Sequence, residues 1–545
     1  MTFLEQNMAR LVHGLLLLTF LTTPSVRAQA QSDRERQQLR AQQEKHARLQ
    51  KSFEEEIEKI VKWCNDRGMV DAAKRTRTEN SLPDPTVLSL TALPRAVRVP
   101  IPAGAIDDER LWHGKLLTIR SKHAKEIYRL SRTVLRLGFP TYAMQLVREV
   151  LHHDPDHKYA RRILGFEKFT DRARSDEPDY RGEWVTPFER RMRGTSPKHV
   201  WSEDFGWVKA TELDKYKQGQ RPWNRSWITA AKESEIRRDF ANAWEIKTEH
   251  FIVKTDHSFE SGLEIAKRLE RYHTFFHRAF ATFFESPEQL AKRFSDVANQ
   301  RGRLAPPKQM EVHYYKNKGE YVDRLIDKIP QIAMTNGLYY EPDQTCYFFH
   351  EPGREGFGTL YHEATHQFLD LPTLAHRRNA ANQRALKLGR RARRWVIGEK
   401  RNFWILEGIA CYMESFRLTE GGYSLGDPEY MRFTAAHYRL TESDFFVPFN
   451  EFTAMGMADF QSSPSIRMLY TQGAGFAHFL MHFEGGRYRD KLVQHLSELY
   501  RPDVRNVLKE PSLEETLGVS FAELDKQYKE YIVSLYDKRV EPAVR

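Results

Sequence analysis

The chain has 545 residues, 40% of them hydrophobic and 29% charged, a length that suits three to four domains and a substantial core. Aromatic residues at 12%, with ordinary Gly and Pro counts, exclude a disordered or fibrous chain, and no apolar run is long enough for a polytopic membrane protein. The formal net charge is +11, and residues 376–401 hold ten Lys or Arg against one Glu, so most of the surplus is local. A nucleic-acid surface would spread it more widely, and no nucleic-acid partner is expected.

Arg10 precedes the apolar stretch Leu11–Leu21, and Ala28-Gln29-Ala30 places small residues where a signal peptidase cuts, so residues 1–30 read as a secretory signal. The mature chain then begins near Gln31 in a secreted, periplasmic or cell-envelope setting, with no transmembrane span left. Cys64, Cys346 and Cys411 are too few for a disulfide framework and read as buried thiols.

Residues 31–107 read as an exposed helix followed by a linker. Leu39, Leu49, Phe53, Ile57, Ile60 and Val61 recur at helical spacing among Gln, Glu, Arg and Lys, and Pro83, Pro85, Pro94, Pro100 and Pro102 follow. In residues 108–180, an apolar stripe of Ile127, Leu130, Val134 and Leu135 stops at Gly138, and a second of Ala143, Leu146, Val147, Val150 and Leu151 stops at Asp154-Pro155. This helical hairpin resembles a single tetratricopeptide-type unit. Residues 181–240 carry Trp184, Trp207 and Trp227, each followed by a β-branched residue, and read as short strands with structural tryptophans.

From 241 to 540 the texture is α+β. WEIKTEHFIVKT predicts a strand pair, Leu263 to Phe276 a helix, MEVHYY a strand, and Gly337–Phe349 a second strand pair. A capping box at Ser520–Glu523, then Leu524, Tyr528, Tyr531, Ile532 and Leu535, predicts a closing helix.

Directly after the second strand pair comes YHEATHQFLD. At 100° per residue His362 and His366 lie one turn apart on one helix face, where both imidazoles reach a single Zn²⁺. Glu363 stands beside them, able to take a proton from water without being a ligand. Such a site needs a third protein ligand, and FWILEGIACYME offers Glu407 and Glu414, seven residues apart.

H-E-x-x-H followed by W-x-x-E-G-x-A-x-Y-x-E resembles the gluzincin metallopeptidases, the thermolysin and aminopeptidase N clan. The resemblance implies a gluzincin-like zinc peptidase domain with Glu407 as third ligand. Tyr470-Thr471-Gln472-Gly473 is similar to the segment whose tyrosine stabilises the oxyanion in aminopeptidase N relatives, which implies that role for Tyr470. The resemblance covers roughly residues 245–540. The spacing departs from those relatives: 40 residues separate His366 from Glu407, and the basic segment lies in that interval. No G-A-M-E-N motif occurs, so aminopeptidase specificity does not carry over. The whole layout resembles a group of secreted bacterial proteins with a gluzincin-like domain behind a helical, Trp-rich region.

The expected function is hydrolysis of peptide or protein substrates at a metal-activated water, with Gly337–Phe349 as an edge where an extended peptide adds as a strand. Two alternatives stand beside it: a zinc amidase acting on a cell-envelope polymer, and a catalytically silent peptidase-fold scaffold. Glu414 reads either as a hydrogen-bond partner of a ligating histidine or as a solvated helix-end carboxylate. His478 reads either as an oxyanion helper or as a core residue. The segment 376–401 reads as an arm meeting an anionic envelope partner or as a solvated insertion, and it is placed where it could cover the cleft.

Overall fold

Apolar residues at helical spacing decide how the first third of the chain packs. The computed structural model describes residues 24–80, 90–91, 93, 104, 106–171, 174–177, 180, 182–295, 308–353, 356–419 and 422–537. Residues 1–23 of the expected signal, and Pro83, Pro85, Pro94, Pro100 and Pro102 of the expected linker, lie outside the described residues. Helix α1 (Pro24–Asn65) buries Leu39, Phe53, Ile57, Ile60 and Val61, and the short strand β1 (Leu90–Thr91) follows. Next come α2 (Asp107–Arg136) and α3 (Pro140–His153), which form the hairpin. The stripe of α1 packs on α2 and α3, so this helix is docked and not the exposed one its polar composition suggests. Each Leu, Ile or Phe buried this way contributes about 1.5–3 kcal/mol, which a free helix would forgo. Gly138 makes the hairpin turn at φ +91°, a conformation that needs no Cβ. Pro140 then opens α3 at a position where its missing N–H would have had no helical partner.

The three Trp segments become three separate two-stranded hairpins: β2 (Glu167–Phe169) with β3 (Glu183–Val185), β4 (His199–Ser202) with β5 (Gly206–Lys209), and β6 (Gln220–Trp223) with β7 (Ser226–Thr229). Their tryptophans are structural. Trp184 is buried and donates its indole N–H to Asp156 at 2.9 Å, and Trp207 meets Trp201 edge-on at 5.7 Å. Asn224, at φ +53°, turns the last hairpin.

One five-stranded mixed sheet organises the rest. It contains β8 (Trp244–Lys247), β9 (Phe251–Thr255), β10 (Met310–Tyr315), β11 (Leu338–Tyr340) and β12 (Thr345–Phe349), in the order β11-β12-β10-β9-β8. β10 runs parallel to both β9 and β12, while the outer strands β8 and β11 are antiparallel to their neighbours. Every residue of β12 is buried. Cys346 and Phe348 face the main core, and Tyr347 and Phe349 face a second cluster with Tyr321 and Ile332, as the two-residue period of a strand covered on both sides requires.

Helices α4 (Phe259–Ala279) and α5 (Gly358–Asp370) supply the main core beneath the sheet. Beyond them come α6 (Leu374–Leu388), α7 (Phe403–Met413), the hairpin β13 (Arg417–Thr419) and β14 (Gly422–Ser424), α8 (Met431–Thr441), α9 (Ile466–Gly486) and α10 (Phe521–Asp537). The architecture is mixed α+β. β1 pairs with β14, and Arg148 of α3 donates to the Tyr423 hydroxyl at 2.7 Å. Arg36 and Arg40 of α1 meet Glu484 where the helical backbone of α9 breaks, and the Thr141 amide donates to Asp490 at 3.0 Å. The helical unit is thereby seated on the sheet-bearing part. Among the described residues, no helix is long and apolar enough to cross a membrane.

Candidate metal centre

Helix α5 exists because Leu360, Tyr361, Ala364, Phe368 and Leu369 form a face that packs against the sheet and α4. That packing turns His362 and His366, on the opposite face, toward α7. The two imidazoles lie 5.0 Å apart between ring centroids. Glu407 reaches both from α7, with its Oε2 3.3 Å from His362 Nε2 and 3.9 Å from His366 Nε2. One donor atom from each of the three residues lies within 4.8 Å of the other two. Their side chains are 13%, 17% and 13% exposed, so the cluster is shielded but not sealed from solvent.

Two glycines bring the third segment in. A Cβ on Gly408 would stand 2.7 Å from the Gly473 carbonyl oxygen, so α7 and α9 touch backbone to backbone. Glu407 is therefore held against the first turns of α9, where Tyr470 helps to keep its carboxyl low. Tyr470 rests edge-on against Phe460 at 5.4 Å, and burial together with the Glu407 charge pushes its phenol well above its ordinary range. It stays a hydroxyl donor.

The orientation of His362 is fixed from behind. Its Nδ1 meets Glu414 Oε1 at 2.9 Å, and Arg432 grips the two Glu414 oxygens with two bonds of 2.9 Å. Tyr430 donates to the same carboxylate at 3.1 Å, and the buried Cys411 thiol lies 3.9 Å from Nδ1. Of the two readings of Glu414, the histidine-supporting one matches its position. Arg432, Tyr430 and Cys411 escape the sequence reading. Cys411 had a visible signal, four residues after Glu407 and on its face, whereas Arg432 comes from a separate helix. Burial works against every charge here. It leaves His366 below the ordinary histidine range, but at His362 the contacts with Cys411, Glu407 and Glu414 outweigh it and hold the ring well above. Burial likewise opposes ionisation of Glu407 and Glu414, yet His362 keeps both low, and Arg432 helps bring Glu414 down to about 2. Two imidazoles facing an ionised carboxylate in a shielded pocket are a donor set that fits a divalent cation.

Glu363 has a different partner. Its Oε2 accepts the backbone N–H of Tyr339, on the outer strand β11, at 2.7 Å. The Tyr339 hydroxyl donates to Asp370 at 2.7 Å, and Asp370 is paired with Arg377. Arg377 and Arg394 both bind Glu341, the residue after β11. The basic segment is thus no free arm: its first half is α6, Arg377 is buried, and two of its arginines clamp the edge of the cleft. Arg384, Arg390, Arg391 and Arg393 line a cavity of about 640 Å³, whose other wall includes Glu498 and Glu515. His478 is a core residue, fully buried, with Nε2 3.0 Å from the Gly426 carbonyl and Nδ1 2.8 Å from the Tyr531 hydroxyl. Cys64, Cys346 and Cys411 are all free and buried. No protein-family model matches this chain, and no curated protein matches it.

Proposed function

We propose that the chain is a secreted, gluzincin-type zinc metallopeptidase in which His362, His366 and Glu407 hold the metal. The observation that carries this reading is the convergence of those three donors within 4.8 Å from two packed helices, with Glu363 beside them at the sheet edge. Zinc held there supplies Lewis acidity, which polarises a carbonyl and makes water acidic near neutral pH. Glu363 takes the proton of the attacking water and returns it to the leaving amine. The Tyr470 hydroxyl donates to the carbonyl oxygen as it turns negative, and β11, the outer strand, offers a peptide main chain an edge to pair with. The arginines around the 640 Å³ cavity favour an anionic cell-envelope polymer as a docking partner.

The test is metal content by mass spectrometry together with cleavage of casein or a peptide library. Glu407→Ala should lose one equivalent of zinc, and Glu363→Gln should keep the metal but cleave nothing. A zinc-reconstituted chain that binds no metal, or wild-type cleavage by Glu363→Gln, defeats the proposal.

A further inference from the structure

The helical unit contains a second group of metal-type donors that the proposed reaction does not use. Glu149 and His153 stand one turn apart on α3, and His123 faces them from α2; one donor atom of each lies within 4.8 Å of the other two. His123 Nε2 is 3.8 Å from Glu149 Oε1, and the rings of His123 and His153 are 4.6 Å apart, edge to face. Tetrahedral coordination at about 2.0–2.1 Å separates donors by roughly 3.4 Å, so small rotamer shifts bring the three into range.

The surroundings are those of a built site. His123 is 6% and His153 2% exposed. Both ring nitrogens of His153, and Nε2 of His123, are buried without a hydrogen-bond partner among the described residues. A cation held by Nε2 of His123 and one nitrogen of His153 answers one orphan on each ring. Phe53 of α1 closes the top, stacked on His123 at 4.4 Å and edge-on to His153 at 4.7 Å. A relay supports the carboxylate from outside. His46 Nε2 lies 3.0 Å from Glu149 Oε1 and 2.8 Å from Oε2, while the Tyr142 hydroxyl meets His46 Nδ1 at 2.9 Å. The tautomer that donates from Nε2 accepts from Tyr142 at Nδ1, which is how an outer carboxylate–histidine pair fixes a ligand.

We propose that His123, Glu149 and His153 form a second divalent-metal site, structural in role, which ties α2 to α3 beneath α1. Two imidazoles and a carboxylate form a borderline donor set that takes Zn²⁺ before Mg²⁺ or Ca²⁺. The site is independent of the peptidase reading, because it shares no residue with His362, His366 and Glu407.

The test uses the full chain carrying His362→Ala and His366→Ala, so that any remaining metal belongs elsewhere. After zinc reconstitution and dialysis it should retain one equivalent, and Co²⁺ in its place should give visible d–d bands. Adding Glu149→Gln should remove both the equivalent and the bands. Adding His123→Gln should do the same, which guards against one variant failing to fold; circular dichroism checks each. The melting temperature of the double-alanine chain should fall with EDTA and recover with zinc. A folded double-alanine chain that retains no zinc overturns the proposal, and so does an equivalent that survives both added substitutions.

Discussion

Glu414 takes Nδ1 of His362 while Arg432 takes both Glu414 oxygens, so the imidazole that turns Nε2 toward Glu407 is locked in one orientation. Replacing Glu414 by Gln keeps its size and removes its charge. We expect metal affinity at the His362–His366–Glu407 cluster to weaken about 10–100-fold with the fold intact. A chelator-competition titration measures this, and unchanged affinity would limit Glu414 to packing. His362, Glu363 and His366 were legible in the sequence because their chemistry sits within five residues of one helix. Glu414 was only half legible: its spacing from Glu407 gave the face, but Arg432, which holds it, lies 18 residues further on. The donors on α2 and α3 were missed altogether, although Glu149-x-x-x-His153 has the one-turn spacing that drew notice at His362.

At the scale of elements, the contact between α7 and α9 sets the geometry of the site. Gly408 and Gly473 permit it, and a Cβ at 2.7 Å from a carbonyl oxygen forces the helices apart. Gly408→Ala should therefore destabilise the chain by about 1–3 kcal/mol and separate Tyr470 from Glu407. Urea unfolding reads the first effect, and Glu407-dependent zinc retention reads the second; wild-type values in both would show that the helices can slide. Helices α2, α3, α4 and α10 were readable because each carries an apolar stripe, whereas α6 was read as an arm or insertion because its charge masks its few buried residues. The sheet order was not, since seating β10 between β9 and β12 joins segments near residues 251, 310 and 345, and no local pattern specifies such pairings. Nor did composition reveal that α1 is docked, because its polar majority hides a narrow stripe that only a partner surface makes meaningful.

Across the whole molecule, buried neutral histidines tie stability to pH. Burial holds His478 and His495 down to about 4, against 6.5 for an ordinary histidine. Between those values the unfolded chain binds more protons, so stability rises with pH across the window and is lost as pH falls from 6.5 toward 4. Each residue contributes on the order of 3 kcal/mol to that slope. Melting temperatures from pH 7 to 4 should show it, and His495→Leu should flatten it; an identical slope in that variant would remove His495 from the account. The seating of the helical unit through Glu484, Asp490 and Tyr423 makes these changes felt throughout the chain. At the cleft, the bond from the Tyr339 amide to Glu363 has its own consequence. A guest strand laid along β11 competes for the very N–H that Glu363 occupies. On the proposed peptidase reading, Glu363 is latched in the resting chain, and a guest that reaches far enough along the edge releases it.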